Sequence, residues 1–465
     1  MKTLTLDEIR AAVHGRWLAR GGPASAKAVT TDSRTAGASE LFIALRGENH
    51  DGHDFLPGVA AAGCVGALVR LDSEPRPELA QRFPGGVIGV ANTTEALGRL
   101  AAYHRDQCPA AVVGVTGSNG KTTTKRMIHH ILSRRLTGTC SPKSFNNEIG
   151  VPLTLLAAGG GDDYVVCEIG TNAPGEIDAL AKIVRPDVAV ITSVGETHLE
   201  KLASVQRVAI EKATILAHLA PDGLAVVWAD DDLLTRAARA HARRTVHFGL
   251  ADDAELRLTA CQPAGRGQRF QVNGRLWVDL PLPGRHNATN ALAALAVAQR
   301  FGFTLADAAT ALAEFDGVEM RLQWIDCGAV SVLNDAYNAN PASMLAAAQT
   351  LASLPAERRV LIAGDMRELG SAAEELHRRV GREAGECGID LLIGVGLLGR
   401  YIAQGAADAG KAAETFDSLE QATGAVVALL RAGDVVLVKG SRAMRMETLV
   451  EEIRRASVPA AAPPR

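Results

Sequence analysis

Short apolar runs recur along most of this chain, each followed by a stretch of helical length, and that alternation constrains the fold more than any other feature. In the middle of the sequence the runs cover residues 110–116, 163–171, 186–195 and 223–230. They are apolar on both faces, as strands are when helices cover a parallel sheet from both sides. The same rhythm restarts at 329–337, 358–366, 390–396 and 434–441, which calls for a second open sheet. Earlier runs at 41–47 and 65–70 precede a polar, proline-bearing stretch, 71–86, that reads as a boundary. The expected class is α/β, in three domains: 1–85, a central domain over 86–315 with a mainly parallel sheet, and a third over 316–465. The tail, 457–465, is expected to be disordered.

Composition narrows the function classes. A chain of 465 residues suits about three cores. A formal net charge of -3 gives no electrostatic reason to expect nucleic acid, so any phosphate binding must be local. The N-terminus has scattered charges and no apolar signal core, and no window reaches the roughly 18 apolar residues of a membrane span. The expectation is a soluble, cytoplasmic chain without membrane insertion. The 7 cysteines are odd in number and never form a CxxC pair, which indicates neither a disulfide framework nor a zinc site.

The strongest local signal is the run from strand to helix through Thr116, Gly117, Ser118, Asn119, Gly120, Lys121, Thr122 and Thr123. Glycines let backbone amides approach phosphate oxygens, and the helix N-terminus favours negative charge. Lys121 can neutralise terminal phosphates, and the Thr122 hydroxyl can ligate Mg²⁺. A nucleoside triphosphate is expected here. The spacing departs from the strict phosphate-loop pattern, because Val115 stands where the first glycine belongs. Glu168 ends one expected strand and His198 follows another, so a shared sheet edge makes a shared cation plausible. Mg²⁺ prefers oxygen, and by itself His198 reads as a structural histidine rather than a ligand.

The segment 116–125 resembles the nucleotide loop of the Mur ligase family, whose members form amide bonds with ATP. Further matches follow in order: 144–152 (SFNNEIGVP), 284–290 (GRHNATN), 334–341 (NDAYNANP) and 364–370 (GDMRELG). The first and the last two resemble the branch that adds D-alanyl-D-alanine. The Thr-Thr-Pro and Asp-Asn-Pro-Arg motifs of the diaminopimelate- or lysine-adding branch are missing. The resemblance implies an N-terminal domain for a UDP-linked substrate, a central ATPase domain and a Rossmann-like C-terminal ligase domain. It also implies the substrates ATP, UDP-N-acetylmuramoyl-tripeptide and D-alanyl-D-alanine, two Mg²⁺ ions, a monomer, and a place in peptidoglycan synthesis, with cell shape and division depending on it.

Roles carry over residue by residue. Thr122, Glu168 and His198 match the family's Mg²⁺ ligands, and Lys212 matches a lysine that many members carbamylate to bridge a second ion. Read without the family, Lys212 is a solvent-facing lysine paired with Glu211 or another helix neighbour. Asn287 and Asn290 match the adenine contact, Arg321 and Asp335 the third domain's contribution to ATP, and Ser33 the uridine-diphosphate contact. Asn146 and Asn147 are assigned to the peptide stem, and Tyr337, Asn338 and Asn340 to the D-alanyl-D-alanine side. Residues 439–442 form a strand-end turn that could meet a carboxylate. The loop 46–54 reads as a substrate loop rather than a metal site, and residues near 310–320 as a hinge. Another ligase of the superfamily, diaminopimelate-adding or folylpolyglutamate synthetase, and a non-catalytic nucleotide switch are the competing readings.

Overall fold

The computed structural model describes residues 1–73, 75–241 and 244–456; the expected disordered tail lies outside them. Three large sheets follow one another along the chain, in a mixed α/β architecture. In the nine-stranded middle sheet, Ala111–Thr116 lies between Val188–Ile191 and Tyr164–Glu168, with Gly138–Cys140 beyond the latter. All four are parallel, as are Leu224–Trp228 and Thr245–Gly249 on the other side. The chain builds first to one side of Ala111–Thr116 and then crosses to the other. Connections diverge at that switch, leaving a crevice at the carboxyl end of the strand where open α/β sheets bind ligands. Residues 117–122 leave the sheet at this crevice.

Side chains alternate across a strand, so one apolar run supplies two cores. Val113, Val115, Val166, Val190 and Val226 enter one, and Val112, Val165, Ala189 and Val227 the other. The far end of the sheet is different. Leu256–Ala264, Gly267–Val272 and Leu276–Leu280 are antiparallel, with Phe270, Val272, Val278 and Leu280 inward and Arg269, Trp277 and Asp279 outward. One covered face yields an alternating pattern rather than an apolar run.

The third sheet runs in the order Gln323–Cys327, Val330–Asp335, Asp434–Lys439, Arg358–Gly364, Leu391–Val395, Ala412–Phe416, and only its first pair is antiparallel. The first sheet runs Arg16–Arg20, Gly86–Val90, Gly66–Arg70, Glu40–Ile43, Ala28–Thr30. The boundary expected at 85 therefore falls one strand early, because Gly86–Val90 pairs inside the first sheet on both its edges. The polar stretch 71–86 is a crossover between neighbouring strands. Polarity and proline mark a solvent-facing connection, and they do not distinguish a crossover from a domain linker. Asn92 then caps the helix Thr93–Gln107, which packs on Gly150–Ala157 and Glu176–Val184 beside the middle sheet.

Candidate active site

The loop after Ala111–Thr116 has a backbone that side chains would not allow. Gly117 has φ 146° and Gly120 φ 81°, and a Cβ would stand 2.0 Å from Thr192 Oγ1 at the first and 2.2 Å from Asn290 Oδ1 at the second. The neighbouring strand end pins the loop: Ser118 N donates to Ser193 O at 2.9 Å, and Asn119 N to Ser193 Oγ at 2.9 Å. Thr116 lies beneath, buried, with its carbonyl taking the Thr192 amide at 2.9 Å. Lys121 opens the helix Lys121–Leu132 and folds back, donating to Gly117 O at 2.7 Å. Burial lowers its pKa, Glu168 opposes that shift, and Arg321 adds to it. An anion in the loop would satisfy both the lysine and the free amides of the helix N-terminus.

Glu168 is 1% exposed and surrounded by donors. Its Oε2 accepts from the Thr122 hydroxyl at 3.0 Å and pairs with Lys125 Nζ at 3.0 Å, and its Oε1 accepts from Asn146 Nδ2 at 3.0 Å. Asn147 Oδ1 accepts from Ile149 N at 3.3 Å and Gly150 N at 2.9 Å, holding the start of the helix Gly150–Ala157. The two asparagines assigned to the peptide stem thus spend their amides on the carboxylate and on a helix end, although both line the cleft.

His198 is held differently. It has φ 54°, stands before the short helix Leu199–Leu202, and its Nδ1 bonds to Glu368 of the third domain. Nearby, Arg379 forks onto Glu196, with its Nη1 at 3.3 Å from Oε1. Lys212, on the Ser204-capped helix Val205–Ala213, is 2% exposed, which excludes a solvent-facing lysine. Its neighbour Glu211 turns to another helix, where its carboxylate takes the amides of Gly175 at 2.9 Å and Ile177 at 3.0 Å. Burial pushes the Lys212 amine well below the ordinary lysine range, with repulsion from Lys121 adding to the shift and Glu211 opposing it.

Two cavities meet at the loop. A cleft of about 790 Å³ is lined by 118–123, Asn146, Asn147, Glu168, His198, Arg321, Tyr337, Asn338 and Asn340. A second, of about 800 Å³, is lined by Asn119, Gly120, Thr123, Asn287, Asn290, Arg321, Asp335 and Lys439, with apolar walls from Trp228, Leu250 and Leu258. Asn290 Nδ2 donates to Asn287 Oδ1 at 3.2 Å, and Asn287 Nδ2 to Pro283 O at 2.7 Å. Arg321 stacks its guanidinium 4.2 Å from the Tyr337 ring centroid and sits between Met320 (φ 54°) and Leu322 (φ 49°). Asp335 Oδ1 accepts from Leu322 N at 3.2 Å, and Oδ2 from the buried Lys439 at 2.5 Å. Asn340 caps the helix Pro341–Ser353 and exchanges amide bonds with Asn119, at 2.7 and 3.3 Å. Thr116, Gly117 and Lys212 stand behind the cavity walls rather than in them.

Ser33 lies apart from both cavities, in a turn where Asp32 forks onto Arg34 at 2.9 and 2.7 Å. In the loop 46–54, Asp51 bonds to His53 Nδ1 at 2.5 Å and Arg46 at 2.8 Å, while His53 Nε2 accepts from Arg70 N at 3.0 Å. Among the described residues no three His, Cys, Asp or Glu side chains gather as a metal cage. Sequence reasoning missed Lys125, Glu196, Glu368 and Arg379. Lys125 carried a signal, since it follows Lys121 by four residues and so shares its helix face.

The chain resembles known proteins over nearly its whole length. The Mur ligase middle domain matches residues 115–298, the Mur ligase glutamate ligase domain 320–442, and the Mur ligase family catalytic domain 25–105. UDP-N-acetylmuramoyl-tripeptide--D-alanyl-D-alanine ligase of Bacillus subtilis is 37% identical over 435 residues, which span 91% of this chain and 92% of that one. A crystal structure of MurF from Acinetobacter baumannii superposes with a TM-score of 0.88 at 33% identity, over 98% of this chain and 99% of its own. MurF ligase from Thermotoga maritima, in complex with ADP, gives 0.80 at 26% identity, over 92% and 97%. With its nucleotide loop, its two cavities and its full-length likeness to these ligases, the chain belongs to the Mur ligase family.

Proposed function

We propose that this chain joins D-alanyl-D-alanine to UDP-N-acetylmuramoyl-tripeptide in the cytoplasm, coupled to cleavage of ATP to ADP and phosphate. The observation that carries the reading is the meeting of two cavities at the glycine loop, one with apolar walls suited to a base and one polar. The likeness over nearly the whole chain to enzymes of that name supports the substrates, and the ADP complex of a relative supports the nucleotide. No helix among the described residues is long and apolar enough to cross a membrane.

In this reading the adenine lies by Asn287 and Asn290, the triphosphate in the loop 117–123, and Arg321 and Asp335 close on it from the third domain. The UDP end of the substrate lies towards Ser33, its peptide stem along Asn146 and Asn147, and the dipeptide beside Tyr337, Asn338 and Asn340. A carboxylate is a poor electrophile. The tripeptide carboxylate attacks the γ-phosphorus, ADP leaves, and the acyl phosphate then takes the dipeptide amine and releases phosphate and a proton. Positioning and charge do the catalytic work, so no protein nucleophile is required.

The donor set suits Mg²⁺, which keeps several waters and takes one or two carboxylates plus substrate phosphates rather than an all-protein cage. Thr122 can donate its proton to Glu168 while turning a lone pair to the ion, and Glu168 and His198 complete the protein's share. When bound, two such ions offset charge on the transferred phosphoryl group. Lys212 is the residue to be carbamylated, because a neutral amine is the form that attacks carbon dioxide and burial favours that form. Closure about residues near 310–320 excludes water from the acyl phosphate. Phosphate release from ATP with the UDP-linked tripeptide tests the reading. Sustained release only when D-alanyl-D-alanine is added, with a product heavier by one dipeptide, is expected; equal release without it sinks the proposal.

A further inference from the structure

Behind Glu168 stands a lysine that no motif role accounts for. Lys125 is 0% exposed and lies one turn after Lys121 on the same helix. Its ammonium donates to Ser141 O at 2.9 Å and to Lys143 O, and it stands 3.0 Å from Glu168 Oε2 as the ion-pair partner of that carboxylate. A carboxylate has about two acceptor sites on each oxygen. Thr122 donates to Oε2, beside which the Lys125 charge lies, and Asn146 takes one site on Oε1, so Oε1 keeps an acceptor site. Ser141 Oγ also takes the Glu168 amide at 2.9 Å, so one short segment fixes the backbone and the counter-charge of this residue together.

We propose that Lys125 is a positioning residue for the divalent cation. It aims one acceptor site of Glu168 at the cleft and cancels the carboxylate's charge, so that the empty site attracts a cation weakly. The negative charge that draws the ion in then comes from the triphosphate, and metal and nucleotide arrive as one complex. Through Ser141 O and Lys143 O the same ammonium also anchors the segment that leads to Asn146 and Asn147. This rests on the reading of Glu168 as a metal ligand.

Binding of Mn²⁺ to the full chain without nucleotide, followed by its free-ion electron paramagnetic resonance signal, tests the proposal in Lys125→Met, Lys125→Arg and Glu168→Gln. The methionine variant leaves the carboxylate uncompensated in a low-dielectric site, and its affinity is expected to rise about tenfold or more over the native protein. Its kcat is expected to fall at least about tenfold while its KM for Mg²⁺ stays level or drops. The arginine variant keeps the charge and should hold affinity within about threefold of native, with turnover reduced by crowding. Unchanged or weaker binding in Lys125→Met overturns the proposal, and so does an arginine variant that matches the methionine one. Native-like Mn²⁺ binding in Glu168→Gln sinks instead the underlying ligand assignment. If Lys125→Met folds only with Mn²⁺ present, that is the expected linkage in another form; if it fails to fold even then, Lys125 is merely structural and the proposal falls.

Discussion

Glu168 and His198 line one cleft and are held in opposite ways. Glu168 is buried, and its partners, the donors Thr122 and Asn146 and the counter-charge Lys125, all come from its own domain. His198 is half-buried, sits in a left-handed backbone well, and takes its partner, Glu368, from the third domain. The first residue is in place whatever the domains do. The second is oriented only while two domains stand in one arrangement. A site built this way has one wall preorganised within a domain and one wall formed where two domains meet.

The strongest test of the inner wall is Lys212→Met, with turnover expected to fall roughly 10²-fold or more. Stability should move the other way. The folded-state pKa of Lys212 is lowered, so between that value and the ordinary lysine range the unfolded chain binds the extra proton, and native stability rises with pH there. Removing the amine therefore raises Tm at pH 7, and the gain shrinks as pH approaches 10. Melting curves at pH 7 and 9.5, without bicarbonate, check this; a lower Tm at pH 7 would mean that the buried amine is not held at a cost.

A smaller effect is expected from Glu368→Gln on the movable wall. Loss of the carboxylate behind His198 should raise KM for Mg²⁺ about tenfold. Because the Glu368 side chain is 53% exposed, thermal stability should change by less than about 1 kcal/mol. A large loss of stability with an unchanged Mg²⁺ dependence would erase the distinction between the two walls. The smallest effect concerns His286 on the wall of the second cavity, where residues of the middle and third domains meet. Burial lowers its pKa to about 4, with Asp335 opposing and Lys439 contributing. The unfolded chain therefore takes up this proton first, and stability is lost as pH falls from about 6.5 towards 4. In His286→Gln the drop in Tm from pH 7 to pH 5 should be about 1–2 °C smaller; an unchanged drop would assign the acid sensitivity elsewhere.

The parallel sheets were legible because buried strands leave apolar runs, and the glycine loop because its backbone demands residues that nothing else explains. Strand Gly86–Val90 was misassigned because a polar crossover and a domain linker look alike in one dimension. The antiparallel extension at 256–280 has one covered face and so leaves a weaker trace. Within the site, Asn146 was readable as important but not as a partner of Glu168, since the two meet through pairing of Gly138–Cys140 with Tyr164–Glu168 and the bond from Gly170 N to Asn146 O. Glu368 was quoted in a motif and given no role, because its partner lies 170 residues away. Lys212 shows the limit most plainly: adjacency in sequence offers Glu211 as a neighbour, and only the fold reveals that this carboxylate caps the helix Glu176–Val184.

Arg321 rides between Met320 and Leu322, two side-chain-bearing residues that both occupy the left-handed region. Each carries about 1–2 kcal/mol that an ordinary backbone would not. The junction between the middle and third domains is therefore a sprung catch rather than a slack tether. It is kept cocked by the grip of Asp335 on the Leu322 amide, and Asp335 is itself clasped by Lys439. A change at the junction that released the Leu322 amide from Asp335 would let this strain relax, so the strained backbone and the Asp335–Lys439 pair are expected to loosen together.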